Sequence, residues 1–238
     1  MKKCIVLLSG GPDSTTALVW ASQKYETNAL HLNYGQINAQ RERVSAKKIA
    51  NHYNVPIEIA DIEGLKDIFL DKIGDAIDYN IGCWEVLPFM LGFPISLAAS
   101  YGLTMNAEII LLGVHATDVK DHPEYRIEAL EAFEKAIQVA TQKPIKILAP
   151  FIEKTKSELI KLGNAIGVPY EKTWSCLLGG LTHCGKCWGC ARRKLAFQDG
   201  KVFDPTEYEY KKIIEIAKID LTRVPSGKGL IYPEALIR

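Results

Sequence analysis

Short apolar runs alternate along the chain with longer segments in which apolar residues recur at helical spacing. Most of the runs are rich in branched side chains, which is typical of parallel strands that are buried on both faces. Strands are predicted at residues 3–8, 27–33, 55–59, 108–114 and 145–150. Helices are predicted at residues 15–20, 38–53, 87–103, 124–141 and 155–167. This alternation predicts an α/β fold, with a parallel sheet and helices on both of its faces.

The alternation of apolar runs with helical segments is weaker in two places. Between Asp61 and Trp84, glycines, aspartates and short apolar pairs predict an irregular insertion over the edge of the sheet where we expect the active site. The tail from Lys201 predicts a helix at Glu207–Lys218 and an end that contains proline and glycine. The predicted organisation is a main domain at 1–170, a small module at 171–200 and a helical tail at 201–238.

The composition is that of an ordinary soluble protein, because 47% of the 238 residues are apolar and 24% are charged. The formal net charge of +1 gives no overall field that attracts nucleic acid or a membrane, so neither is expected as a direct partner. Arg192-Arg193-Lys194 is the best candidate for a local basic patch. No apolar run approaches the roughly 18 residues of a membrane helix, and no segment resembles a signal peptide. A cytoplasmic protein is therefore expected.

The first predicted strand leads into Ser9-Gly10-Gly11-Pro12-Asp13-Ser14, and the first helix follows. At such a junction, unpaired backbone N–H groups and the positive end of the helix dipole meet and bind anions. Glycines let the backbone approach an oxyanion closely, and Ser9 and Ser14 add hydroxyl donors. No lysine follows in the Walker pattern, so this is not the usual P-loop. The segment predicts a phosphate-binding turn, with an ordinary strand–helix turn as the alternative.

Other polar residues are predicted at the carboxyl ends of strands, where ligands gather in parallel sheets. Asn33-Tyr34-Gly35-Gln36 follows the second strand, and His115-Ala116-Thr117-Asp118 follows the fourth. His31 lies inside the second strand and is interpreted as a core histidine. Thr155-Lys156-Ser157-Glu158 predicts a capping box. Lys156 is placed where cations are unfavourable for the helix dipole, which indicates a role toward phosphate, with a solvated surface lysine as the alternative.

Four of the six cysteines fall within 15 residues, as Cys176, Cys184, Cys187 and Cys190. Thiolates at this spacing can surround Zn²⁺ and order a loop that is too small for a core of its own. An iron–sulfur cluster is the alternative, because C-x2-C-x2-C also opens the ferredoxin pattern. The remote first cysteine and the lack of a following Cys-Pro favour zinc. His183 precedes Cys184 and is not expected to be a ligand.

The turn at residues 9–14 resembles the pyrophosphate loop of the ATP pyrophosphatase (PP-loop) superfamily, whose members split ATP into AMP and pyrophosphate. Together with Tyr34-Gly35-Gln36 and the cysteine pattern at residues 173–190, it resembles the 7-cyano-7-deazaguanine (preQ0) synthase family, QueC. The resemblance covers about residues 3–200. It implies a Rossmann-like domain of the adenine nucleotide alpha hydrolase-like type with a four-cysteine zinc module, usually as a homodimer.

The resemblance implies an ATP-dependent ligase that adenylates the carboxylate of 7-carboxy-7-deazaguanine and converts it with ammonia to the nitrile preQ0. The residues implied to hold ATP and Mg²⁺ are Ser9, Gly10, Gly11, Asp13, Ser14, Thr15 and Lys156. Asp13, Ser14 and Lys156 are the catalytic residues among them. The implied deazaguanine-binding residues are Tyr34, Gln36, Met90, Asp118, Glu124 and Arg126. The implied Zn²⁺ ligands are Cys176, Cys184, Cys187 and Cys190.

The chain departs from the family pattern near the predicted substrate. Leu87-Pro88-Phe89-Met90-Leu91 stands where relatives usually have Val-Pro-X-Arg-Asn, so a charge and an amide are lost. Asp121-His122-Pro123-Glu124-Tyr125-Arg126 replaces Gly-Tyr-Pro-Asp-Cys-Arg, which loses the cysteine. Asn33 replaces the aspartate of many relatives.

These departures favour an alternative in which a QueC-like enzyme of an antiviral defence cluster makes the same adenylate but conjugates the deazaguanine to a protein amine. We expect such an enzyme to form nitrile from ammonia only poorly, with Phe89-Met90-Leu91 as an apolar lip for the protein substrate. The alternative for this segment is that Met90 and Leu91 pack the start of a buried helix. Two further hypotheses are weaker. A PP-loop enzyme that acts directly on tRNA needs a larger basic surface. A binding module without catalysis does not need the intact turn.

Overall fold

The computed structural model describes residues 1–64 and 91–211 of the chain. Its strands are β1 (Lys3–Leu7), β2 (Glu26–Asn33), β3 (Ile57–Asp61), β4 (Ile109–Leu111) and β5 (Lys146–Leu148). Its helices are α1 (Pro12–Ser22), α2 (Ala39–His52), α3 (Gly92–Thr104), α4 (Ala116–Asp121), α5 (Ile127–Thr141), α6 (Lys156–Ala165) and α7 (Trp188–Gly200). Short 3₁₀ turns lie at Pro123–Tyr125 and Tyr170–Lys172. Strands and helices alternate through the first five strands, which confirms the predicted α/β class.

All pairs in the sheet are parallel, and the strand order is β3-β2-β1-β4-β5. β1 is central, with Cys4 opposite Thr27 on β2 and Ile109 on β4. The chain moves outward from β1 to β3 and then returns to the other side of β1 at β4. The loops after β1 and β4 therefore diverge and leave a crevice at the carboxyl edge, where ligands bind in sheets of this kind.

Side chains of β1 point alternately to the two faces of the sheet, as the period of a strand requires. Val6 packs in one buried cluster with Leu18 of α1 and Ile49 of α2. Ile5 packs on the other face with Ile95 of α3. Both faces of the central strand are therefore covered by helices, which explains why Cys4, Ile5 and Val6 at its centre are all apolar and buried.

The helix boundaries differ from the prediction in one instructive place. The segment predicted as a single helix at 124–141 contains the 3₁₀ turn at Pro123–Tyr125 and then α5, which begins at Ile127. Arg126 between them is extended, with φ −67° and ψ 151°, so a helix that is continuous from residue 124 is interrupted there. Within residues 1–64 and 91–211, no helix is long and apolar enough to cross a membrane.

Three predicted segments lie partly outside the described residues, and one of them is the helix predicted at 87–103, of which 87–90 are not described. The predicted helix at Glu207–Lys218 is wrong where the structure describes it, because 207–211 is not helical. Tyr208 forms a parallel bridge with His183, and the Glu209 N–H donates to the His183 carbonyl at 2.9 Å. These pairings hold the segment extended against the cysteine loop. Of the insertion predicted at 61–84, residues 65–84 lie outside the described residues.

The predicted basic patch at Arg192-Arg193-Lys194 is wrong, because two of its three side chains are buried in the protein. Arg193 is 0% exposed and Lys194 is 6% exposed. The Arg193 guanidinium donates to Thr173 Oγ1 at 2.6 Å, to the Tyr170 carbonyl at 3.0 Å and to Asp204 Oδ1 at 3.1 Å. Arg193 therefore joins α7 to the chain segments on both sides of the cysteine loop instead of facing a polyanion.

Helices α1 and α6 pack so closely that only glycine fits at position 163. A Cβ atom at Gly163 would lie 2.0 Å from Tyr170 Oη and 2.7 Å from Thr16 Oγ1. We expect Gly163→Ala to lower the free energy of unfolding by about 1–3 kcal/mol, because the tyrosine ring cannot move away without disturbing the core. Denaturant titration measures the effect. Asn164→Ala, on the exposed side of the same helix, serves as control and is expected to stay within about 0.5 kcal/mol. Equal stabilities of the two variants would contradict this packing.

Candidate functional site

The turn between β1 and α1 is built around Gly10, which adopts a φ of +88°. A Cβ atom there would lie 2.7 Å from the Glu42 carbonyl oxygen and 2.9 Å from the Ala46 nitrogen, so glycine is required by both conformation and space. The hydroxyls of Ser9 and Ser14 are 3.0 Å apart across the turn. The turn thus presents two hydroxyls and the amino end of α1 at the carboxyl edge of the sheet, where an oxyanion is stabilised.

Asp13, in the first turn of α1, is paired with Lys156 at the start of α6. The distance between Lys156 Nζ and Asp13 Oδ2 is 2.5 Å. Burial raises the pKa of Asp13, but the Lys156 ammonium outweighs it and holds the pKa below its ordinary value. Asp13 Oδ1 is buried and has no hydrogen-bond partner among the described residues. This ionised oxygen is a suitable ligand for Mg²⁺, which prefers carboxylate oxygens.

Two adjoining cavities, of about 300 and about 360 Å³, open at this edge of the sheet. Seven residues line both: Ser9, Asp13, Tyr34, Gln36, Glu42, Asp118 and Tyr125. The apolar wall of the first consists of Leu7, Leu30, Leu32, Leu91, Leu112 and Val114. The second is also lined by Lys156, Trp174, Trp188 and Arg192. The phosphate-binding turn therefore lies between an apolar cavity and an aromatic, charged one.

The structure brings most of the predicted site residues together. Tyr34, Gln36 and Asp118 line both cavities, beside the turn that carries Asp13. Thr15 is fully buried and its hydroxyl donates to the Gly11 carbonyl at 2.6 Å, so it shapes the turn from behind. Three predicted substrate-binding residues remain. Glu124 and Arg126 line neither cavity, and Met90 lies outside the described residues. Their predicted role in substrate binding stays a prediction.

The site contains residues that sequence reasoning did not select. Glu42, on α2, accepts hydrogen bonds from Gln36 Nε2 at 2.8 Å and from Asn38 Nδ2 at 3.0 Å. Arg192 contributes to the second cavity from α7, and its guanidinium lies 4.5 Å from the centroid of the Trp188 ring. The sequence did not indicate that these two residues line the cavities, because α2 and α7 reach the turn only through tertiary packing.

The sequence also placed His115 near the site, without assigning it a role. It is 1% exposed, and its Nε2 lies 4.0 Å from Asp13 Oδ2. Its backbone N–H donates to Asp118 Oδ2 at 3.1 Å, which closes the start of α4. Burial lowers the pKa of His115, so that its imidazole is neutral beside the Asp13–Lys156 pair. It therefore fills space behind Asp13 without adding a charge at neutral pH.

Two histidines behave as the sequence predicted. His31 is 1% exposed, and its Nδ1 lies 2.9 Å from the Leu8 carbonyl, which confirms it as a core residue. His183 is not part of the cysteine cluster, and its Nε2 accepts the Ser175 N–H at 3.0 Å. Burial lowers the pKa of His183 to about 4, which keeps the ring neutral and able to accept this bond.

The four predicted cysteines converge at one point. Their sulfur atoms all lie within 4.8 Å of one another, so that they could hold a metal ion. Two pairs, Cys184–Cys190 and Cys176–Cys187, are 3.9 Å apart at sulfur, close to the ~3.8 Å expected between thiolates that bind one tetrahedral zinc at ~2.3 Å. Backbone N–H groups, including that of Leu177 to Cys187 Sγ at 3.4 Å, donate to these sulfurs. Both the distances and the amide donors suit a bound zinc.

The cysteine loop is joined directly to the phosphate-binding turn. The Trp174 N–H donates to the Gly10 carbonyl at 2.9 Å, and the Trp174 indole N–H donates to the Cys176 carbonyl at 2.7 Å. The Trp174 ring also packs on the His183 ring, with centroids 4.1 Å apart. Trp174 thus connects the turn to the four-cysteine cluster, and its ring lines the second cavity.

The chain was compared with known proteins on the basis of sequence and fold. A family model described as "Queuosine biosynthesis protein QueC" matches residues 3–201. The chain belongs to the QueC family. This confirms the resemblance predicted from the phosphate-binding turn and the cysteine pattern.

Relatives of this QueC-family chain match over nearly their whole length. The 7-cyano-7-deazaguanine synthase of Thermoplasma acidophilum is 36% identical over 236 residues, covering 91% of this chain and 98% of the relative. The 7-cyano-7-deazaguanine synthase 2 of Colwellia psychrerythraea is 34% identical over 218 residues, covering 87% of this chain and 99% of the relative. Among solved structures, an NMN synthetase from Francisella tularensis has a TM-score of 0.51 at 17% identity, covering 85% of this chain and 78% of that chain. That likeness concerns the fold.

We expect the purified QueC-family chain to contain one Zn²⁺, bound by Cys176, Cys184, Cys187 and Cys190. Cys187→Ser is expected to lose the metal and much of the order of the loop, because metal binding supplies the free energy that folds such small loops. Elemental analysis of purified protein measures the metal. Cys4→Ala changes a buried cysteine that is not part of the cluster and is expected to keep its zinc. Iron, or a well-folded protein without any metal, would contradict the assignment.

Proposed function

We propose that this protein is an ATP-dependent ligase that adenylates the carboxylate of 7-carboxy-7-deazaguanine and converts it with ammonia to 7-cyano-7-deazaguanine. The observation that carries the proposal is the buried Asp13 Oδ1, which has no hydrogen-bond partner in residues 1–64 and 91–211 and lies in the turn at residues 9–14 beside Lys156 and two cavities. Membership of the QueC family and the names of its relatives support the substrate and the product.

ATP is proposed to bind with its phosphates at the turn. Ser9 and Ser14 would donate hydroxyl hydrogen bonds, and Lys156 would neutralise charge on the pyrophosphate as it leaves. The apolar cavity, with Leu32 and Val114 in its wall, suits the adenine base. Asp13 would hold Mg²⁺ through Oδ1, and the ion would supply positive charge against the phosphate oxygens.

The deazaguanine is proposed to occupy the second cavity. Tyr34, Tyr125, Trp174 and Trp188 offer aromatic faces on which a planar heterocycle can stack. Arg192 offers a guanidinium, whose donors match a carboxylate in geometry and charge. Because this cavity adjoins the turn, a carboxylate held there is placed beside the α-phosphate of the proposed ATP.

The reaction uses ATP because a carboxylate oxygen is a poor leaving group and AMP is a good one. The carboxylate attacks the α-phosphorus and pyrophosphate leaves, which gives the acyl adenylate. Ammonia then attacks the acyl carbon, the bond to AMP breaks, and the amide forms. A second ATP activates the amide oxygen. That oxygen then leaves as part of AMP, and two protons leave the nitrogen, which gives the nitrile. The turn stabilises charge on phosphate in both activations.

Conjugation to a protein amine is the alternative that the departures at Phe89-Met90-Leu91 favour. Phe89 and Met90 lie outside the described residues. Leu91 is 6% exposed and lines the apolar cavity, so it packs into the protein and is not part of an open lip. We therefore place nitrile formation first and keep the protein conjugate, with its link to antiviral defence, as the alternative. A homodimer remains an expectation from the family resemblance, and a cytoplasmic location remains an expectation from the sequence.

Incubation with ATP, Mg²⁺, 7-carboxy-7-deazaguanine and ammonium distinguishes the two reactions. We expect complete conversion to the nitrile, with AMP and pyrophosphate released, when the products are followed by mass spectrometry. Omitting ammonium is the control and is expected to stop the reaction at the adenylate. Accumulation of adenylate in the presence of ammonium would contradict nitrile formation and favour a protein amine as acceptor.

Asp13→Ala and Ser14→Ala are each expected to abolish pyrophosphate release, because these groups act on the phosphates and on Mg²⁺ at the transition state. Loss of one well-placed donor typically costs about 10²–10³ in rate. Phosphate release in a pyrophosphatase-coupled assay measures the effect. Ser22→Ala, at the other end of α1, is the matched control and is expected to retain activity. The zinc content of each variant reports on folding, and near-normal AMP production by either site variant would refute the assignment.

A further inference from the structure

Glu42 has the position of a reacting group but has no part in the proposed binding of ATP. It lies near the start of α2 and lines both cavities, at the wall where they adjoin. Its backbone carbonyl is the group that a Cβ on Gly10 would meet at 2.7 Å, so the helix that carries it is packed directly against the phosphate-binding turn. A carboxylate is thereby held beside the place where the acyl adenylate is proposed to form.

The orientation of the Glu42 carboxylate is determined by its neighbours. Gln36 Nε2 donates to Oε2 at 2.8 Å, and Asn38 Nδ2 donates to Oε1 at 3.0 Å. The Gln36 amide is itself fixed, because its Oε1 accepts the Tyr34 N–H at 3.0 Å. Each Glu42 oxygen therefore receives one side-chain donor, and its second lone pair is left to accept a proton.

The described part of the chain forms no ion pair with Glu42. The charged or titratable groups that line the same cavities are Asp13, Tyr34, Asp118, Tyr125, Lys156 and Arg192. The cations among them have other partners: Lys156 is bonded to Asp13, and Arg192 lies 3.9 Å from Asp118. Burial raises the pKa of Glu42 to about 7, against the opposing effect of the two amide donors. A group with such a pKa exchanges protons readily at neutral pH.

Formation of the amide requires a base, because ammonium carries no lone pair and is the dominant form at neutral pH. We propose that Glu42 is this base, an inference that rests on the proposed function. One Glu42 oxygen takes a proton from ammonium, and the freed lone pair of ammonia attacks the acyl carbon. The bond from that carbon to the AMP oxygen breaks, and the second proton leaves the new amide nitrogen to water. Glu42 then returns its own proton to solvent.

The test separates formation of the adenylate from its aminolysis. Glu42→Gln is compared with the wild type and with Glu131→Gln, which makes the same change on the exposed face of α5. Exchange of labelled pyrophosphate into ATP, with 7-carboxy-7-deazaguanine present and ammonium absent, measures the adenylate. Amide and nitrile formation is then measured against ammonium concentration from about pH 6 to about pH 9. Hydroxylamine, which is uncharged at neutral pH, replaces ammonium in a parallel series.

We expect Glu42→Gln to lower kcat/KM for ammonium by about 10²–10⁴-fold while pyrophosphate exchange and hydroxylamine aminolysis continue. In the wild type, the rate with ammonium should rise as pH increases through about 7, where Glu42 ionises, and then level off. In Glu42→Gln, the rate should follow the fraction of free ammonia and show no change of slope near pH 7. Glu42→Asp, which keeps the carboxylate, should recover part of the rate. Glu131→Gln should match the wild type.

Three outcomes would overturn the assignment of Glu42. They are ammonium kinetics in Glu42→Gln like those of the wild type, an equal loss with ammonium and hydroxylamine, and loss of pyrophosphate exchange in both Glu42→Gln and Glu42→Asp. The last two would make Glu42 a structural residue of the turn. Failure of the proposed function is recognised separately: wild-type protein would then show no exchange that depends on the carboxylate substrate, and the inference would fall with it.

Discussion

The close approach of three chain segments at Gly10 is the constraint on which the site depends. The backbone of α2 lies so near that a Cβ at Gly10 would be 2.7 Å from the Glu42 carbonyl, and the Gly10 carbonyl accepts the Trp174 N–H at 2.9 Å. The first strand, the second helix and the cysteine loop therefore meet at one residue that has no side chain. Any larger residue at position 10 would push the turn away from α2.

The charges around Asp13 are the second constraint on the site. Asp13 is buried in the first turn of α1, where the helix dipole and Lys156 both favour its ionised form. His115 lies against it but stays neutral, because burial lowers its pKa. The result is an ionised carboxylate with one oxygen paired to Lys156 and the other without a hydrogen-bond partner in the part of the chain that the structure describes. Such a group is prepared for a cation, and a phosphate can then share that cation.

The cysteine cluster has a structural role in this arrangement. It lies in a loop with few apolar residues of its own, and the buried Arg193 joins the following helix to Thr173 and Asp204. The ring of Trp174, between the cluster and the turn, forms part of the second cavity. Order in the loop is thereby coupled to the turn at residues 9–14, which gives the four-cysteine cluster a structural effect on the site although it lies far along the chain.

The sequence by itself determined the parts that depend on local chemistry. The turn at residues 9–14, the capping box at Thr155 and the cysteine spacing each express a rule that acts over a few residues, and the family followed from two of them. The alternation of apolar runs likewise determined the α/β class, because buried parallel strands need a continuous apolar sequence. Only the tertiary structure decided that Arg193 is buried and that Glu42 faces the site. Charged side chains are ordinarily exposed, so their burial depends on partners that the fold brings to them. Asp204 is such a partner for Arg193, and Gln36 is one for Glu42.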